Sequence, residues 1–226
     1  TYYMSKKKFK LKILIIPIII IVIILGGLFF TYESYFAPKV PVTSVNTSVN
    51  LNSSVLNFVP SKSSFSLSQV ILNSDGEISD TNLTDMIILI LQNVSNSTLK
   101  EITGVQVKIV DNEINVYATF DYLDIPFEVH FVFTPQIENG QAVVHYVRGN
   151  IGFIQIPKDL VFKYLSDKSF MSVDSSKANI ILKFGNLTNI KVNTFETDGS
   201  SLKINFSTML NLNQLAATKI VSVPSI

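Results

Sequence analysis

Residues 124–149 read DIPFEVHFVFTPQIENGQAVVHYVRG, and this stretch decides the fold. Asn139-Gly140 is the dipeptide that best tolerates the two positive-φ positions of a tight hairpin turn. Ahead of it, Phe127, Val129, Phe131 and Phe133 fall on alternate positions and so share one face of a strand. With a two-residue turn, Thr134 should face His145, and His130 should face Gly149. The preceding residues 104–122, GVQVKIVDNEINVYATFDY, follow the same grammar. Val105, Val107 and Ile109 alternate with Gln106, Lys108 and Val110. Asp111-Asn112 makes the turn, and Ile114, Val116, Ala118 and Phe120 continue the apolar face. Two such hairpins in series predict a meandering antiparallel sheet with one wet side.

Helical patterns flank the sheet. Residues 79–94, SDTNLTDMIILILQNV, predict a helix capped by Ser79 or Asp80. Leu83, Met86, Ile87, Ile90, Leu91 and Val94 recur at helical spacing, and Ile88 and Leu89 widen the stripe. A helix apolar nearly all round is buried or lines an apolar groove. Beyond the sheet comes YVRGNIGFIQIPKDLVFKYL, residues 146–165. Gly149 and Gly152 permit a bend or bulge. Pro157 suits a first helical position, followed by a stripe of Leu160, Val161, Tyr164 and Leu165. The stretches NIILKFGN, NIKVNTFE and LKINFSTML read as further strands. Residues 211–223 fit a helix or an edge strand equally. The fold class is therefore α+β, an antiparallel sheet with packed helices.

The other end of the chain sets its environment. Residues 13–32 carry no charge, and at ~1.5 Å per residue a helix of that length crosses a ~30 Å hydrocarbon layer. Lys6, Lys7, Lys8, Lys10 and Lys12 crowd its N-terminal flank. The positive-inside rule then puts residues 1–12 in the cytoplasm as a basic tail and the remainder outside. Phe29, Phe30, Tyr32, Tyr35 and Phe36 form an aromatic collar at the exit. No convincing small-x-small site follows, so the segment reads as an uncleaved single-pass anchor rather than a signal peptide. Residues 33–64, rich in Ser, Asn, Thr, Val and Pro, predict an extracytoplasmic stem, part of which docks through residues such as Val55, Leu56 and Phe58. Residues 65–226 predict the outer α+β domain.

Composition limits the chemistry. The chain has 226 residues, a net charge of +1 and no cysteine. Disulfides, thiol nucleophiles and cysteine-based metal sites are excluded. With no broad basic field, nucleic acid is not an expected partner. His130 and His145, on one sheet face but ~13 Å apart at ~3.3 Å per residue, cannot share a metal ion. Asp121, Asp124 and Glu128 cluster around a strand connection, as an acid pair for hydrolysis would, yet turn solvation explains the first two. Asp75, Glu77 and Asp80 lack the spacing of a calcium loop. No metal, cofactor or catalytic group is therefore assigned. The best polar candidate for ligand binding is Arg148, the sole arginine, beside Lys158 at a helix start, where a phosphate or carboxylate would be held. The larger signal is apolar. Phe127, Phe131 and Phe133 on the sheet, with Ile87 and Leu91 on the helix, make either a closed core or a groove for acyl chains.

The anchor, the helix after FSLS, the Pro126 strand, the Asn139-Gly140 hairpin and GNIGFIQIPKDLVFKYL resemble the YpmS-like family of bacterial membrane-anchored proteins. Gly152 and Pro157 carry the last of these. The resemblance implies a single-pass Gram-positive cell-envelope protein facing outward, and it supplies no catalytic residues. The order of sheet and long helix also resembles, more distantly, tubular lipid-binding domains. Three functions follow as expectations. The first is an extracytoplasmic accessory protein binding membrane lipid or envelope polymer. The second is a non-enzymatic structural or assembly protein contacting a membrane or envelope protein. The third and weakest is an envelope hydrolase.

Overall fold

The computed structural model describes residues 5–49, 59–65, 69–93, 99–168, 171–183 and 190–211. The expected docking of Val55, Leu56 and Phe58, the last stripe residue Val94 and most of the 211–223 tail lie outside these residues.

Helix α1 (Ser5–Thr31) covers the expected span and starts inside the basic tail. The window Pro17–Phe36 is long and apolar enough to cross a membrane, and none of it is buried within the protein. That disposes of a core-helix reading. Eleven large apolar side chains of α1 stand exposed between Ile18 and Phe30. At about 1.5–3 kcal/mol each, leaving them in water would forfeit more than the ~5–15 kcal/mol that holds a typical domain folded. Only an apolar surround resolves this. The protein is membrane-associated, with one N-terminal spanning-type helix and a sheet-rich domain.

A single π-helical turn, Tyr32–Phe36, joins α1 to the domain. The Ala37 amide closes it by donating to Tyr32 O at 2.9 Å. Strand β1 (Thr43–Ser44) follows, then β2 (Val59–Phe65) and β3 (Gln69–Ser79). Among the described residues of 33–64, β1 pairs with the first sheet and β2 with the second.

Helix α2 (Asp80–Gln92) is capped by Ser79, whose hydroxyl accepts from the Asn82 amide at 3.2 Å. Its centre of burial is Ile88 and Thr84, with Ile87 and Leu91 packed on the core beside them. Most other positions are half-buried. The helix covers one face of the sheet instead of being engulfed.

Strands β4 (Ile102–Val110), β5 (Glu113–Tyr122), β6 (Ile125–Glu138) and β7 (Gln141–Ile151) form the predicted meander. Strands β8 (Ile154–Gln155), β9 (Met171–Asp174) and β10 (Asn179–Leu182) extend it. The sheet runs β1-β4-β5-β6-β7-β10-β9, with β8 paired to β7. Its turns at Asp111-Asn112, Leu123-Asp124 and Asn139-Gly140 each hold both central residues at positive φ. That twist matches the twist of antiparallel strands. Strands β11 (Ile190–Asp198) and β12 (Ser201–Asn211) form a second sheet with β3 and β2, in the order β11-β12-β3-β2. Among the described residues both sheets are open rather than closed into a tube.

The core lies between the sheets. Val107, Ile109, Ile114 and Ala142 of the first meet Val192, Phe195, Leu202, Ile204 and Phe206 of the second. Helix α3 (Lys158–Lys163) has one turn and a half, with Pro157 as its N-cap rather than its first residue. Phe162 is its buried residue, packed with Tyr146 and Ala178, whereas Leu160 points outward. Val161 and Leu165 of the expected stripe pack against this cluster, whereas Leu160 leaves it and Phe162 joins it.

Candidate functional site

The hairpin register behaves as expected up to one point. Thr134 pairs with His145, as a two-residue turn requires. Between Val132 and Phe133 the register shifts, because β7 carries Val147 as an extra residue. His130 therefore faces Asn150, and Gly149 faces Phe131. Paired residues share a sheet face, so the bulge moves Arg148 and Asn150 onto the side of Val132, His130 and Glu128. An unbulged strand would have placed them with the phenylalanines.

That face carries a polar cleft of about 380 Å³. Glu128 and His130 come from β6, Arg148 and Asn150 from β7, and Gln155 from β8. The last wall is the chain leaving the anchor, which contributes Tyr35, Ala37 and Lys39. The exit chain is fastened by Glu128, whose Oε2 accepts from the backbone amides of Lys39 at 2.9 Å and Val40 at 3.0 Å. Glu128 is thus a clamp on the exit chain.

His130 stacks on Tyr117, with ring centroids 4.4 Å apart and planes 4° from parallel. Its Nε2 lies 2.8 Å from Asn115 Oδ1, so that nitrogen carries the proton and donates. Burial and the Arg148 charge hold the imidazole pKa below its ordinary value, against a smaller opposing pull from Glu128 and Glu113. Arg148 donates two parallel hydrogen bonds to Glu113, at 3.0 and 2.9 Å, and this partner raises its already high pKa. The fork crosses β6 above the fully buried Val132, since Asn115, Val132 and Arg148 are register neighbours. The floor is consequently close to neutral. It offers hydrogen-bonding groups with balanced charge, not a concentrated positive field.

The other expected residues separate from this site. Lys158 begins α3, which packs through Phe162 on the Tyr146 side of the sheet, and its amine donates to Ser176 O at 3.1 Å. It does not line the cleft with Arg148. Phe131 and Phe133 pack with Tyr146 and Phe162. Phe127 stacks on Phe120 and meets Tyr32 and Phe36 edge-on. Ile87 and Leu91 pack around Ile88, Val105 and Ala118. These side chains fill space against one another. His145 pairs with Asn179 at 2.7 Å, in a chain that continues to Glu138. Asp121 lies near the end of β5 and Asp124 within the β5–β6 turn, and Asp75 accepts from Asn205. Among the described residues, no group of three His, Asp or Glu side chains is arranged to hold a metal ion. Asn150, Gln155 and Lys39 are cleft residues that sequence reasoning passed over, and no local signal marks the Val147 bulge that turns Asn150 to this face. Comparison with protein-family models, curated proteins and solved structures found no match to this chain.

Proposed function

We propose that the protein is a non-enzymatic, membrane-anchored accessory factor of the bacterial cell envelope, with its domain outside the cytoplasmic membrane. In this reading the cleft binds a polar unit found at the membrane surface, a lipid headgroup or a sugar-like segment of envelope polymer. The observation that carries it is the wall shared by anchor and cleft, since Tyr35, Ala37 and Lys39 lie within a few residues of the span. Whatever enters is met at the bilayer surface. The volume falls within the ~300–1,000 Å³ usual for small-ligand sites. The Arg148–Glu113 ion pair, and one Lys39 and one Glu128 in the lining, balance the charge and favour a zwitterionic or hydroxyl-rich group over a bare dianion. The packing of Phe127, Phe131, Phe133, Ile87 and Leu91 favours headgroup recognition over an acyl sleeve. The outward orientation rests on the lysine flank, and kinship with YpmS-like proteins rests on the quoted residues.

The test uses the full chain in nanodiscs. Titration with short-chain phosphatidylethanolamine and with envelope-polymer fragments should show saturable binding to one of them. The paired change Asn150→Leu and Gln155→Leu should weaken it at least about tenfold, the loss of roughly 1.4 kcal/mol. Retention of full affinity by the paired variant, or no saturable binding to either ligand class, would reject this reading.

A further inference from the structure

Two turns project from the end of the first sheet at which the anchor departs. One is the β5–β6 turn, with Leu123 and Asp124 at its tip and Tyr122 beside them. The other is the β7–β8 turn, with Phe153 and Ile154. Leu123 is 77% exposed, Tyr122 63%, Phe153 62% and Ile154 52%. Tight turns of this kind ordinarily carry Asn, Asp or Gly. Leu123 instead holds φ at +53°, a conformation that is costly for a large side chain. An apolar residue in a strained, water-facing position calls for something to cover it.

The anchor identifies the cover. The spanning window runs through Phe36, so the π-helical turn belongs to its last stretch. That turn is fixed to the same end of the sheet. Phe36 and Tyr35 meet Phe153 edge-on at 5.1 and 5.5 Å between centroids. Tyr32 donates to Pro126 O at 2.7 Å, one residue past Ile125. Phe153 and the Tyr122–Ile125 closing pair therefore adjoin side chains at the depth where the span meets the headgroups. Aromatic residues favour that layer.

We infer that these two turn tips insert into the interfacial layer of the bilayer that α1 spans, seating the domain on the membrane by its strand ends. Lipid is the occupant because the patch continues the surface of the span itself. Asp124 shares the β5–β6 tip with Leu123, its carboxylate reaching the headgroups, and Asp121 lies just behind it; with no positive charge at the tips, insertion is driven by apolar area and proceeds on neutral lipid. The inference does not depend on ligand binding in the cleft.

The chain contains no tryptophan and no cysteine, which makes the test direct. Leu123→Trp, Phe153→Trp and Val110→Trp are each made in the full chain, the last as an exposed control at the opposite end of the sheet. They are reconstituted in vesicles of phosphatidylcholine with acyl-chain bromines. Emission at 123 and 153 should be largely lost to bromine quenching, and emission at 110 should be untouched. Because tryptophan adds strain at 123, Leu123→Cys carrying an environment-sensitive dye gives a second reading, expected to be blue-shifted relative to Val110→Cys. Unquenched, water-like signals at both tips would overturn the inference. So would shielding that appears only after anionic phosphatidylglycerol is added.

Discussion

Thr84 shows how one side chain ties an element to the sheet. Its hydroxyl donates to Asp80 O within α2 and accepts the Val107 amide of β4 at 2.9 Å, while nearly fully buried. Thr84→Val keeps the shape and removes the acceptor, leaving a buried donor unpaired. A loss of about 1–3 kcal/mol is expected in urea unfolding, with Thr84→Ser recovering most of it. His130 makes a different prediction. Its folded pKa lies below the ordinary 6.5, so the unfolded chain binds the extra proton first as pH falls. The neutral ring's contribution is complete above that value and is lost as pH drops through the folded pKa. Arg148 and burial set this sign; Glu128 and Glu113 moderate it. Unfolding midpoints measured from pH 7.5 down to pH 5, values spanning the ~6.5 reference, should fall more steeply for the native chain than for His130→Gln. Equal slopes would show that another group governs the acid limb. At this scale the sequence revealed His130, Glu128 and Arg148 as candidates but not their union, which needs an inserted Val147 and a lysine from ninety positions upstream.

Elements were legible in proportion to how strongly a local pattern specified them. The turns at Asp111-Asn112 and Asn139-Gly140 appear where turn chemistry puts them, and α2 begins at its Ser79 cap. β3 was missed because its middle, Asn73-Ser74-Asp75-Gly76-Glu77, looks like a loop. Its pairing comes from β12, far along the chain, and from β2, the strand directly before it, whose polar sequence is equally loop-like. α3 ends at Lys163 with Tyr164 as its C-cap, so Leu165 packs on the cluster from beyond the helix. The junction between anchor and sheet yields the sharpest prediction. Gly152 has φ +58°, and a Cβ there would sit 2.8 Å from Tyr35 O and 2.9 Å from the Phe36 ring. Gly199 has φ +61° with open space around it. Both alanine variants bear the left-handed cost of ~1–2 kcal/mol, but only Gly152→Ala must also displace the exit turn. It should therefore lower the thermal midpoint further than Gly199→Ala and speed protease cleavage near Lys39. Equal shifts and unchanged cleavage would mean that the exit turn is not held there.

The whole molecule was legible as an anchor and an antiparallel domain, because twenty uncharged residues and two hairpins are local signals. The second sheet's placement and the cleft were not, since both depend on pairings distant in sequence. The outward orientation has its own test. Protease added to intact cells should degrade the domain while leaving the basic tail protected, and a C-terminal reporter active only in the cytoplasm would reverse the assignment. The single π-helical turn after the span is fixed directly to the end of the first sheet. With no slack between span and sheet, the inclination of the helix is handed directly to the domain. A span of fixed length stands more upright in a thicker bilayer and leans in a thinner one. The cleft's bearing on its surroundings thus becomes a function of lipid chain length, like the shadow of a sundial set by its gnomon.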